Sequence, residues 1–465
     1  MSEEQNVVPS TSKQSSINKR LIMFTICVST ALVTSNNGSL NLAIPILARE
    51  FQTSIATASW IITSFMVSMT LCLLHAGKIS DLFGRKTTYI TGLFIFIVSS
   101  CLGGFSSNIE GMIISRIFQG IGGAVIMANS IPTVTDITSK ERRGANLGII
   151  AMSLAIGSAC GPIIGGVVLS FNWNWLFWFN VPICFFILII SLVAFPKTNT
   201  LITKTKFDIK GTVYLLIFLF SLLFLLTYVL PNSWDWYLIG GLISLSVLAL
   251  FLFIFTENKI KNPIIRLELF KDKSYTIANL ATFCNNLGQT VAMFTMIIFF
   301  QNFRGLSPFE AALLILPIPV LLVMSGPISG RLADNIGSKL LSNAGLCIMA
   351  VGLLMLTFIQ ENTFNIYILI ALGIIGLGSG IFQAPNTKTI MTITSSENRG
   401  VVAATRSILN ALGRLVAVST TSGLLGSLIP NNNSPFPSEL RYIFLGTVVI
   451  CLIPVVLSWL LKAEN

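Results

Sequence analysis

Two ten-residue stretches, GKISDLFGRK at 77–86 and GRLADNIGSK at 330–339, decide how this chain is read. They keep glycine, a cation, aspartate, a second glycine and lysine at matching places, 253 positions apart. A second pair, SKERRG at 139–144 and SSENRG at 395–400, recurs at an offset of 256. Two unrelated motifs sharing nearly one offset indicate a duplicated chain, so the segments around each copy are expected to follow one plan.

Hydrophobicity sets that plan. Of 465 residues, 53% are hydrophobic and only 10% charged, against about a quarter charged in soluble domains. Apolar runs long enough to cross a hydrocarbon layer of ~30 Å begin near 21, 56, 87, 109, 145, 175, 211, 236, 275, 308, 340, 364, 401 and 440. The reading is an all-α integral membrane protein of about fourteen spans. The odd-numbered loops carry only Arg49, Arg304 and Arg441, whereas the tails and even-numbered loops carry 22 Lys and Arg. The positive-inside rule then places both termini in the cytosol. The richest basic loops, 197–210 and 257–273, bracket spans seven and eight, which read as an insertion between related halves. The expected organisation is a cytosolic tail at 1–20, a six-helix half at 21–196, a linker with two extra helices at 197–273 and a second six-helix half at 274–465. Parallel repeats of this kind place a binding site near the midplane between halves.

The net charge of +11 is spread in short pieces between apolar runs, without the basic stripe of a nucleic-acid surface. The eight cysteines fall inside apolar runs with no CxxC spacing, so no metal or cofactor is expected. An enzyme would need clustered His, Cys or acidic groups at depth, which this chain lacks.

With the first motif, three further stretches resemble the major facilitator superfamily, in its fourteen-span drug:proton antiporter branch. They are RIFQGIGGA at 116–124, GSACGPIIGG at 157–166 and NWNWLFWFNVPI at 172–183. The resemblance covers nearly the whole chain from span one onward and implies two rocking six-helix halves. It implies that the 77–86 loop latches a cytosolic gate, with Asp136 as partner of Arg85, and that Arg116 serves proton transfer or tunes a nearby acid. It also implies that the glycine-proline pattern of span five marks an antiporter.

Each stretch has its own physical reading. Gly77 and Gly84 suit a tight turn, Asp81 a helix cap, and Arg85 and Lys86 cytosolic water, unless the charges only fix topology. Gly157, Gly161 and Gly165 repeat every four residues and open one face of span five to a neighbour, while Pro162 among them bends the helix. Arg116 shares a face with Gln119, Gly120 and Gly123. A guanidinium at membrane depth costs ~2.5 kcal/mol or more, so it faces the bundle interior, or else snorkels.

Span one contains TSNNGSLNLAIP at 34–45, in which Thr34, Asn37 and Asn41 continue a stripe begun at Thr30. Span nine repeats it in part, with Asn285 and Asn286 matching Asn36 and Asn37, followed by Gln289. Either these amides line a central cavity or they bond between packed helices. Asn36, Asn37, Asn41, Asn286, Gln289, Asn410 and Arg414 are the candidate cavity residues. Related antiporters commonly read LDxTIVNVALP in span one, with an aspartate where this chain has Asn36. No Asp or Glu lies deep in any span, Asp136 and Glu310 being near span ends. His75, the only histidine, joins Arg116 and Asp136 as a proton-coupling candidate, with a purely structural role as its alternative.

Together these features predict a monomeric efflux transporter in the cytoplasmic (inner) membrane, contacting lipid and exchanging a small-molecule substrate against protons, with no nucleic-acid partner. An anionic metabolite, such as a carboxylate siderophore, is the alternative cargo. A non-transporting membrane sensor is the alternative from another class.

Overall fold

The computed structural model describes residues 10–139, 142–195, 208–229, 235–260, 263, 265–393, 399–428 and 439–463. The first nine residues, most of the basic loop at 197–210, residues 140 and 141 of SKERRG and most of SSENRG lie outside the described residues. Every described element is a helix. Fourteen helices are long and apolar enough to cross a membrane: Asn18–Glu50, Ile55–Phe83, Arg85–Gly104, Ile109–Ile137, Arg143–Leu169, Trp175–Ala194, Ile209–Tyr228, Trp236–Glu257, Lys273–Phe303, Pro308–Ile336, Ser338–Leu356, Asn365–Thr392, Val401–Leu425 and Leu440–Leu460. They are spans one to fourteen. The first helix starts at Ser10, so part of the expected tail is a helical extension of span one. Fourteen crossings return the chain to the face it left, the terminal face.

Helical structure is forced, because a bilayer core offers the backbone no other partner for its N–H and C=O groups. What selects the packing is side-chain size. Span one lies on five, two on four, three on four, and six on one and three. In the second half, nine lies on thirteen, ten on twelve, eleven on twelve, and fourteen on nine and eleven. Every contact of the first set thus has its counterpart in the second. Spans two and thirteen meet at one seam between the sets and spans five and ten at the other. Spans seven and eight pack on each other, and span seven lies along the seam of two and thirteen, where Trp60 of span two stacks on Tyr228 at 6.3 Å.

Small residues sit where helices cross. Cβ atoms added to Gly161 and Gly165 would meet Ser35 O at 2.7 Å and Ser39 Cα at 2.6 Å, and Gly157 faces Ala31 and Thr34. The four-residue repeat of span five therefore lies against the matching repeat Ala31, Ser35, Ser39 of span one. Ser39 Oγ donates to Gly161 O across the contact at 2.6 Å. Pro162 is accommodated inside a helix that runs on to Leu169. Gly122 lies on Phe96 N and Gly92 O, and its counterpart Gly378 lies on Met349 N and Gly345 O.

The expected turn at 77–86 needs one correction. Gly77 is inside span two, which continues to Phe83, and nothing lies within 4 Å of its missing side chain. Gly84 alone makes the turn, with φ +84°, and Gly337 repeats it with φ +96°. Only glycine adopts such a conformation without strain.

Substituting Gly345 by alanine would place a Cβ 2.6 Å from Phe382 N, forcing spans eleven and twelve apart. The expected cost is about 1–3 kcal/mol, the range for overpacking. Thermal unfolding of purified protein in detergent should show a clear fall for Gly345→Ala and none for Gly148→Ala, where nothing lies within 4 Å.

Candidate functional site

A cavity of about 390 Å³ lies at the centre of the helix assembly, within the range of small-molecule sites. Thr34, Asn37 and Asn41 of span one, Asn286 and Gln289 of span nine, and Arg414 of span thirteen line it, with Ile62 and Met66 of span two and Leu322 of span ten. No acidic residue is among the lining residues. The helical spacing explains the convergence: Thr34, Asn37 and Asn41 turn one face inward, and Asn286 and Gln289 do the same from the related helix. The Asn286 amide donates to Asn410 Oδ1 at 2.7 Å, so Asn410 stands behind the lining. Gln383 of span twelve and Ser158 of span five also line the cavity. No motif marks Gln383, and Ser158 lies within GSACGPIIGG without being one of its spaced glycines; the phase of their helices brings both in.

The cavity opens toward the terminal face. Gly144, Gly148, Ala151 and Ser158 fall on one face of span five, and all are exposed from the cavity down to the helix start. At the opposite face it is closed. Gln301 Nε2 donates to Leu42 O at 2.9 Å, Arg49 Nη2 to Asn302 Oδ1 at 3.3 Å, and Gly166 lies against Phe309.

Asn36 does not line this cavity. Its side chain turns toward span four, where Asn36 Oδ1 accepts from Arg116 Nη1 at 2.7 Å. Asn285 turns likewise into its own half and accepts from Ser379 Oγ at 2.8 Å. Two successive asparagines on a helix point about 100° apart, so only one of each pair reaches the centre. Thr30, the first member of the span-one stripe, is buried against Ser130.

Arg116 is fully buried. Besides Asn36, its guanidinium donates to Ile61 O at 3.1 Å and to Gln119 Oε1, and it lies 4.1 Å over the Phe65 ring. Gln119 in turn donates to Ser100 Oγ at 2.7 Å. The burial of this cation is thus offset by neutral acceptors and a ring face rather than by a carboxylate. Arg414 differs. Deep in the molecule, it projects into the cavity and stays solvent-exposed. Among the described residues no hydrogen bond or ion pair holds its guanidinium.

At the terminal face Arg85 binds Asp136 of span four directly and lies 3.6 Å from Asp81. Asp81 sits in the last turn of span two and caps no helix. Lys86 Nζ donates to Leu192 O and Phe195 O at 2.7 and 2.9 Å, closing the end of span six instead of facing water. The second half repeats the arrangement with reversed polarity: Asp334, in the repeated motif, pairs with Lys388 of span twelve. His75 Nε2 lies 2.5 Å from Thr212 Oγ1, so the histidine faces span seven and not the cavity. Thr212 Oγ1 also donates to Asp208 O at 2.7 Å. The only buried carboxylates among the described residues, Asp208 and Glu257, lie beside Gly211 at the ends of spans seven and eight. The sequence reading passed over them because neither lies at depth within an apolar run.

A family model described as the Major Facilitator Superfamily matches residues 26–261 and 278–465. The chain belongs to the major facilitator superfamily. It is therefore a multi-pass membrane transporter and not an enzyme. It is similar to the multidrug transporter protein MdtP of Bacillus subtilis, 28% identical over 92% of this chain and 80% of that protein. It is also similar to the riboflavin transporter RibZ of Clostridioides difficile, 29% identical over 85% of this chain and 86% of the relative. The multidrug resistance protein Stp of Mycobacterium tuberculosis is 26% identical over 88% of this chain and 77% of its own length.

The two asparagines of span one give a direct test of this superfamily member's cavity. In a background without native cysteines, Asn37→Cys and Asn286→Cys should react with a small water-soluble thiol reagent at least about tenfold faster than Asn36→Cys, which is closed off by packing. Equal labelling at 36 and 37 would contradict the placement.

Proposed function

We propose that this chain is a secondary active exporter that moves small molecules out of the cell by alternating access, in exchange for protons. The observation that carries the reading is the central cavity, lined from both related sets of helices, open at the terminal face and closed at the other. With the termini in the cytosol, as the basic loops indicate, this is the inward-open state of a transporter in the cytoplasmic membrane. The two six-helix sets are the rocking bodies, and spans seven and eight ride on one seam between them. One chain supplies every wall of the cavity, which fits a monomer as the working unit. The names of the relatives, two multidrug proteins and a riboflavin transporter, agree with transport of organic molecules of drug size.

Alternating access needs contacts that form in one state and break in the other. The Asp81, Arg85 and Asp136 cluster and the Asp334–Lys388 pair are suited to this, because ion pairs at a water-facing membrane surface exchange easily with solvent. For proton coupling, Asn36 cannot titrate, and Arg116 has only neutral partners among the described residues. Of the remaining candidates, Asp136 lies at the moving surface and His75 against span seven. Their positions make Asp136 the better candidate, since its charge holds Arg85.

Uptake of ethidium, carboxyfluorescein and riboflavin into inverted membrane vesicles tests the reading. At least one should accumulate when the vesicle interior is acidified, and accumulation should stop when the pH gradient is collapsed. Asp81→Asn, Arg85→Ala and Asp136→Asn should each lower uptake by about tenfold or more while the protein remains folded in the membrane. Accumulation that ignores both the gradient and all three substitutions would refute proton antiport through this cluster.

A further inference from the structure

The cavity has an uneven chemistry that narrows its cargo. On the second-half side stands Arg414, solvent-exposed within the cavity, with no hydrogen bond or ion pair among the described residues. A guanidinium stays protonated at any physiological pH, and its planar fork matches a carboxylate or another two-oxygen anion. On the first-half side stand Asn37 and Asn41, each with a side-chain carbonyl oxygen that is buried and has no partner. A buried acceptor without a partner is costly, so both sites gain when a donor arrives. Between them lie Asn286 and Gln289 of span nine and the apolar side chains of Ile62, Met66, Met293 and Leu322. There is no carboxylate in the lining to hold a cation.

From this we infer that the cargo is an organic anion of drug size, whose carboxylate or equivalent group binds Arg414 while an N–H or O–H group at its other end donates to Asn37 and Asn41. The inference rests on the export reading above and names the substrate class of the same cavity. It also ties recognition to movement, because such a molecule bridges the two rocking bodies: its anionic end belongs to span thirteen and its donor end to span one. A lipophilic cation meets the reverse condition, a fixed positive charge in a space of low dielectric with no counter-charge.

The test uses full-length protein in proteoliposomes and measures exchange of carboxyfluorescein, an anion, and ethidium, a cation. Wild type should carry carboxyfluorescein at least about tenfold faster than ethidium, a difference that one charge-assisted contact supplies. Arg414→Ala should remove most of the anion transport, and Arg414→Lys should restore it only in part, because the charge returns without the fork. Arg414→Glu should reverse the preference toward ethidium, a gain of function that misfolding cannot imitate. Asn37→Ala and Asn41→Ala together should weaken apparent affinity for carboxyfluorescein, and their effect should vanish in the Arg414→Ala background if the two ends of one molecule are bound. Robust ethidium exchange that Arg414→Ala and Arg414→Glu leave unchanged would overturn the anion assignment while leaving the export reading intact. Exchange of riboflavin, measured alongside, without exchange of either dye would overturn the anion assignment alone, and absence of exchange for all three would overturn the export reading and this inference with it.

Discussion

Close approach of helices in an apolar solvent is the constraint on which this structure depends. Lipid tails are as apolar as leucine, so helices gain little by hiding side chains from them and associate through contact area and hydrogen bonds. Glycine and serine at the crossings supply both. Span five lies on span one through Gly157, Gly161 and Gly165, and the serine hydroxyl of Ser39 reaches the backbone across the gap. The same solution holds span four to three and twelve to eleven, with glycines on both partners. Each set of six helices is rigid for this reason, and the two meet chiefly along two seams, with a smaller contact of spans one and nine at the closed face. Rigid bodies joined at narrow seams can rock without melting.

Charge is distributed by the same logic. At the terminal face, ion pairs are water-accessible and their net worth is small, which suits contacts that must open. In the interior, Arg116 donates to one backbone carbonyl and two side-chain amides and lies over a ring face, while its Nη2 has no hydrogen-bond partner among the described residues. A cation held in this way is fixed in place. Arg414 is left exposed in the cavity, where its field meets whatever enters. One arginine therefore belongs to the architecture of the first half and the other to the chemistry of the cavity, although both read as arginines within apolar runs.

The reversed polarity of the two surface pairs, Arg85 with Asp136 and Asp334 with Lys388, shows how a duplication can be kept in geometry while its chemistry drifts. The backbone of the repeated motif is the same in both halves down to the positive φ of Gly84 and Gly337. The motif keeps its aspartate, Asp81 and Asp334, but Ser338 stands at the place of Arg85, so the first pair draws its cation from the motif and the second its anion. Glycine at a positive φ has no such freedom, which is why the glycines match.

The sequence by itself determined the helical class and the fourteen spans, because span length and hydrophobicity are local properties. It also marked Asn37, Asn41, Asn286, Gln289 and Arg414 as polar residues on inward faces, since a polar side chain in an apolar run must find a partner or water. Only the tertiary structure decided which of these share a space. Asn36 and Asn37 are adjacent in sequence and chemically identical, yet a turn of about 100° sends one to Arg116 and the other to the cavity. Gly77 and Gly84 belong to one motif, but the helix runs through the first and ends at the second. His75 meets span seven and Gln383 meets the cavity through helix packing that no local pattern encodes. Which face of a helix points inward is set by its neighbours, and in a bundle of fourteen the neighbours come from distant parts of the chain.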